Sequence, residues 1–201
     1  DKHVTGVQTC ALPIWILIGS ALPVLALFAL LAWASAQSRG NPGGFGVNAE
    51  FGQVEVSSDQ AADFSLELMT GGKVTLPELR GKVVMVDFWS SWCPPCRREA
   101  RTLAEVYLEY EGQPVEFVGV DIWDEPTAAQ EHIDRYGVTY PNGIDADGII
   151  AINYGVTGLP EKFFIGPDGR VVKKFVGPMS PSKLRDILNE MLGERSPFSS
   201  Q

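Results

Sequence analysis

The chain is poor in the residues from which metal centres are built. It has three cysteines and two histidines, whereas a structural zinc site takes about four such ligands. Beyond Cys93 and Cys96 only Cys10, His3 and His132 remain, so no metal site is expected. Covalent haem attachment is excluded as well, because Arg97 stands where a histidine must follow the second cysteine of the pair. Basic charge is equally short. Lysine and arginine total 16 against 25 acidic residues, for a net charge of -9 and a pI near 4.7. Nucleic-acid binding needs a basic face, so no nucleic-acid partner is expected. The acidic residues are spread along the chain and read as a solvated surface.

What is present is one dense stretch. Val83 to Trp89 is a run of β-branched and aromatic residues that predicts a buried parallel strand. It passes without a glycine turn into Cys93-Pro94-Pro95-Cys96, which can only open a helix. Pro94 and Pro95 fall in the first turn, where a missing N–H costs nothing. Cys93, at or just before the first helical residue, meets unpaired N–H groups and the positive end of the helix dipole, which favour its thiolate. Cys96 lies one turn deeper, near enough for a short disulfide and expected to be the more buried sulfur. Cys93 is then the attacking thiol and Cys96 the resolving one. An inert structural disulfide is the alternative use of the same pair.

Two carboxylates flank the pair. Asp87 interrupts the apolar strand, and burial there without a partner is costly. It is read as a proton acceptor for Cys96, with a pKa raised by desolvation, the alternative being a solvated strand face. Glu99 follows Cys96 by three residues and shares its helix face, so it is either a second proton-exchanging group or ordinary surface charge.

The flanks are simpler. The chain opens on Asp1, and Val4 to Ile14 read like a translated adapter, so residues 1–14 are set aside as non-native and the true start is expected elsewhere. From Trp15 to Ala36 there is no charge, a length that spans a hydrocarbon core as a helix despite Pro23. An uncleaved anchor is expected, with a cleaved signal ending at Ala34-Ser35-Ala36 as the alternative. Residues 37–60, rich in Gly, Ser and Asn, predict a flexible linker of roughly 25–30 Å root-mean-square span. Residues 194–201 read as a disordered tail.

Residues 61–193 carry regular patterns throughout. Phe64 to Leu68 and Val74 to Leu76 flank a Gly71-Gly72 turn, which predicts a hairpin. The Cys-bearing helix is expected to run to about Tyr110, followed by a buried strand over 115–121 and a helix that opens at Asp124-Glu125-Pro126 and closes at Gly137. His132 is read as a surface residue of that helix. Asp145-Ala146-Asp147-Gly148 lacks the later ligands of a calcium loop and predicts a turn before a short helix over 149–154. Lys162 to Ile165 and Arg170 to Val176 flank a second turn, and Ser180-Pro181 caps a last helix whose Leu184, Ile187, Leu188, Met191 and Leu192 form one apolar stripe.

Asp87-Phe88-Trp89-x-x-Trp92-Cys93-Pro94-Pro95-Cys96 resembles the active-site strand and helix of thioredoxins. The fuller run from Leu79 to Glu99, with Gly155-Val156-Thr157-Gly158-Leu159-Pro160-Glu161-Lys162-Phe163-Phe164-Ile165, resembles the membrane-anchored TlpA, ResA and CcmG (DsbE) branch over about residues 60 to 193. The resemblance implies a thioredoxin-like α/β fold, a central mixed sheet flanked by helices, with the strand-helix unit after residue 115 as an insertion. It implies an extracytoplasmic thiol-disulfide oxidoreductase, mainly a reductase, that uses Cys93, Cys96, Asp87 and Glu99 and no cofactor beyond the disulfide. A cis bond at Leu159-Pro160 is implied, leaving the backbone beside it free to pair with a substrate strand. Trp92, Pro94, Pro95, Leu159, Pro160 and Glu161 would contact substrate, although Glu161 reads equally well as a strand-end charge. Implied partners are protein disulfides, apocytochrome c among them, and an integral-membrane thiol donor. Relatives bend the first helix at a proline where this chain has Arg101, which puts that bend in doubt. A thiol peroxidase of the same fold and a non-catalytic redox sensor are the rival readings. Against the first, Val86 stands where peroxiredoxins have proline.

Overall fold

The computed structural model describes residues 14–37, 46–47, 52–54 and 59–193. The set-aside segment, but for residue 14, and the tail lie outside them, as does most of the linker. Helix α1 (Ile14–Gln37) belongs to one contact unit, residues 1–44, and the remaining elements to another. Among the described residues no helix is long and apolar enough to cross a membrane. In α1 the described side chains run only from Leu22 to Trp33, all of them exposed, so the span expected over residues 15–36 is not shown.

The second unit runs β1 (Gly46–Val47), β2 (Gly52–Val54), β3 (Ser65–Glu67), β4 (Lys73–Thr75), a 3-10 turn (Leu76–Leu79), β5 (Val83–Trp89), α2 (Pro94–Glu109), β6 (Val115–Ile122), α3 (Pro126–Tyr136), β7 (Asn142–Asp145), α4 (Ile149–Asn153), β8 (Gly158–Leu159), β9 (Glu161–Ile165), β10 (Val171–Val176) and α5 (Pro181–Leu192). Six strands form one mixed sheet in the order β2-β10-β9-β5-β6-β7. β5 lies in its middle, parallel to β6 and antiparallel to β9. All seven of its residues are buried, as expected of a strand covered on both faces. β3 and β4 form the expected hairpin as a separate pair.

Strand alternation divides the core in two. Val84, Val86 and Phe88 of β5 pack with Phe163 and Ile165 of β9, Leu66 and Val74 of the hairpin, and Ala151 of α4. Val83 and Met85 point the other way, with Phe164, to Leu103 and Val106 of α2 and Leu184 and Leu188 of α5. By the same parity Asp87 and Lys162, directly opposite each other in register, fall on the face that α2 covers. That parity assembles the site.

Helix ends follow their sequence signals. α3 stops at Gly137, which takes the left-handed conformation (φ 66°). The Ser180 hydroxyl caps α5 by accepting from the Lys183 N–H at 3.3 Å. α2 runs unbroken from Pro94 to Glu109, past Arg101. Three strands lie outside the sequence expectation, and the first, β1, falls inside the span read as linker and pairs with β8. Strand β2, inside the span read as linker, joins the sheet edge against β10. Strand β7, in a segment to which the sequence pattern assigns no element, pairs with β6.

Candidate active site

Cys93 is the N-cap of α2, and its sulfur accepts the backbone N–H of Cys96 at 3.2 Å. The two sulfurs are joined at 2.13 Å, with the Cα atoms 5.3 Å apart. The loop before them is tied down: Asp124 accepts from the Ser91 N–H at 2.5 Å and from its hydroxyl at 2.9 Å. Trp92 is half exposed and donates its indole N–H to the Trp123 carbonyl at 3.1 Å. Pro94 is exposed and Pro95 buried. The expected order of burial is not found. Cys93 has 0% exposure and Cys96 2%, because in the disulfide both sulfurs enter the same buried cluster, together with Trp89 and Leu159.

The Leu159–Pro160 bond is cis. Since Phe88 pairs with Glu161, Pro160 falls at the end of the sheet from which β5 leads to Cys93. Contrary to what the resemblance implied, the backbone beside it is not free. β1 pairs with β8 in parallel, Gly46 opposite Gly158 and Val47 opposite Leu159. Leu159, Pro160 and Glu161 are all buried. Glu161 ion-pairs with Lys174 at 2.7 Å and accepts the Thr157 hydroxyl at 3.0 Å, so its carboxylate turns inward rather than to solvent.

Beneath Cys96 lies a polar cluster sealed from water. Asp87 is buried but not unpaired: Lys162 Nζ lies 3.1 Å from its Oδ1, an ionic contact rather than a well-aligned hydrogen bond. Lys162 Nζ also lies 2.5 Å from Glu99 Oε1, and the Met179 N–H donates to the other oxygen of Glu99 at 2.7 Å. Glu99 is therefore no surface charge. Burial, opposed by Lys162 and reinforced by Asp87, pushes its pKa up to about 7. Burial lowers the Lys162 ammonium, but Asp87 and Glu99 more than offset it, so its pKa stands above the ordinary value. Tyr140, also buried, hydrogen-bonds Asp87, and its hydroxyl is held far above the usual tyrosine range by burial and by both carboxylates.

Asp87, Cys96, Glu99, His132, Tyr140 and Asn142 line a cavity of about 10 Å³, close to the room one water needs. His132 is a correction to the surface reading. It is buried, stacked 4.4 Å from the Trp89 ring, and its pKa falls to about 4, chiefly through burial. Sequence reasoning missed Lys162 and Tyr140. For Lys162 the signal was a cation inside an apolar strand segment, which requires a buried anion opposite. Asp145 accepts the Ala151 N–H at 2.9 Å and so ties the turn to the start of α4. Among the described residues no cluster of three or more potential ligands is placed to hold a metal ion.

Residues 57–174 match a family described as the AhpC/TSA family. The chain is similar to the thiol-disulfide oxidoreductase ResA of Bacillus subtilis (strain 168), at 36% identity over 144 residues, 71% of this chain and 80% of that one. Among solved structures it is similar to a thiol:disulfide interchange protein of the thioredoxin family from Chlorobium tepidum TLS, with a TM-score of 0.63, 27% identity, and coverage of 70% of this chain and 100% of that one. It is also similar to a secreted Mycobacterium tuberculosis disulfide oxidoreductase homologous to E. coli DsbE, with a TM-score of 0.58, 30% identity, and coverage of 63% and 95%.

Proposed function

The chain belongs to the AhpC/TSA family, and we propose that this member works outside the cytoplasm, mainly as a reductant of protein disulfides. It is a thiol-disulfide oxidoreductase. The observation that carries the reading is the Cys93–Cys96 disulfide at the start of α2. In the reduced protein, Cys93 thiolate attacks one sulfur of a substrate disulfide. The substrate bond breaks, a Cys93–substrate disulfide forms, and the first substrate sulfur leaves as a thiolate. Cys96 then gives up its proton and attacks the Cys93 sulfur, which closes the internal disulfide and releases the second substrate thiolate. Asp87 and Glu99 handle the Cys96 proton. No cofactor beyond the disulfide is needed.

The oxidised pair must be reduced again, and reductant is scarce outside the cytoplasm, so an integral-membrane thiol donor supplies the electrons. The uncharged stretch from Trp15 to Ala36 anchors the domain. The secreted M. tuberculosis homologue supports an extracytoplasmic site, and the likeness to ResA and to a DsbE homologue favours apocytochrome c as a substrate.

The test offers the reduced purified protein a protein disulfide and, separately, hydrogen peroxide. The expected result is one disulfide reduced per Cys93–Cys96 pair, with peroxide consumed far more slowly. Faster peroxide consumption would establish the peroxidase instead. A pair that no dithiol can reduce would establish a redox sensor.

A further inference from the structure

Resting on that disulfide chemistry, we infer that Lys162 is a positioning residue: its ammonium, sealed between Asp87 and Glu99, keeps Glu99 ionised and ready to take the Cys96 proton. Lys162 has no exposed surface. Its place on β9 opposite Asp87 is fixed by strand register, and Glu99 reaches it from α2. A lone buried ammonium is costly, and this one is held by two anions.

The logic is electrostatic. Two carboxylates this close in a sealed site cannot both be ionised without a cation; they share a proton, as like charges at short range do. A pair that already shares one proton takes a second only at lower pH and is a weaker base toward Cys96. With Lys162 present, both carboxylates can be charged at rest and the cluster carries a net charge of minus one. When Cys96 resolves the mixed disulfide, its proton passes to Glu99, directly or through a water in the cavity they share. The buried charge is then still minus one: Asp87 and the sulfur are anionic, and Lys162, still beside Asp87, offsets one of the two. The Cys93–substrate bond breaks, the Cys93–Cys96 bond forms, and the substrate thiolate leaves. Transfer at constant buried charge avoids the desolvation cost of a second unpaired anion.

The other groups facing the cluster do not take this role. His132, from α3, is neutral at physiological pH, and the Tyr140 hydroxyl stays protonated. The Met179 N–H fixes the second Glu99 oxygen. The rise of the Glu99 pKa to about 7 fits a base poised near neutrality.

The experiment follows two thiolate releases from an aromatic disulfide, dithiobis(nitrobenzoate), added to the reduced protein over a range of pH. The first release reports Cys93 attack and the second reports Cys96 resolution. Lys162→Met is expected to move the pH midpoint of the second phase upward by about one unit or more and to slow it about tenfold at pH 7. Asp87→Asn, which removes the like charge, is expected to move it downward. The double variant Lys162→Met/Asp87→Asn, which restores charge balance and keeps the test open if the single variant does not fold, should have a midpoint between those of the two single variants. A double variant whose midpoint coincides with that of Asp87→Asn alone, or a Lys162→Met midpoint equal to the wild type's, would overturn the role of Lys162. Absence of the second phase from the wild-type protein would instead overturn the Cys93–Cys96 reading itself.

Discussion

The backbone N–H of Cys96 points at the sulfur of Cys93 from 3.2 Å. It is one of the N–H groups that the first turn of α2 leaves without a helical partner, so in the reduced protein it stabilises a Cys93 thiolate. Cys93 should therefore ionise below the value of about 8.5 for a free thiol. Thiolate absorbance in the Cys96→Ser variant, which keeps that N–H, measures it directly. A midpoint at or above the free-thiol value would remove the helix start from the account.

Asp121, on β6, has no exposed surface and neither of its oxygens makes a well-formed hydrogen bond. Burial, and then the neighbouring Asp124, raise its pKa to about 8. A folded-state pKa above the unfolded one means that the folded protein holds this proton more tightly. The associated stability is complete below about pH 4 and is lost as pH rises toward 8, at up to roughly 1.4 kcal/mol per pH unit. Asp121→Asn should therefore gain on the wild type between pH 5 and pH 8 in urea unfolding. An equal difference at both pH values would contradict this.

Gly119 is required by contact. A Cβ there would stand 1.8 Å from Asn142 Oδ1 and 2.9 Å from Trp89 Nε1, the two atoms of a buried hydrogen bond of 2.9 Å. Gly119→Ala should destabilise the domain by about 2–4 kcal/mol, through overpacking and the lost bond together. Chemical denaturation measures the loss, and adding Asn142→Ala should recover part of it.

Strand β1 occupies the edge of β8 beside cis-Pro160. If an extended substrate pairs along the same edge, it must displace two residues of the chain itself. Deleting residues 41–50 should lower KM for a protein disulfide several-fold, since a competing state is removed, and leave turnover of a small aromatic disulfide unchanged. An unchanged KM would show that substrate and β1 do not compete.

Much of the fold was legible because its signals are local. The apolar run of β5, the prolines that open α2, α3 and α5, and the glycine that closes α3 each act within a few residues, and each element appears where its signal lies. β7 was not legible: Asn142-Gly143 has turn composition and becomes a strand only because β6 offers a parallel edge. The site divides the same way. Cys93 and Cys96 share one helical turn and could be read directly. Lys162 meets Asp87 and Glu99 from 75 and 63 residues away, through a strand register that no local pattern encodes. His132 was misjudged for the same reason, because its burial depends on Trp89 stacking from another element.

One sulfur attacks the substrate and its neighbour releases it. The most direct measurement compares Cys93→Ser and Cys96→Ser, each reduced and mixed with a protein disulfide, then resolved without reductant. Cys96→Ser is expected to accumulate a covalent complex through Cys93, and Cys93→Ser to show neither complex nor turnover. Disulfide-reducing turnover by Cys93→Ser would contradict it.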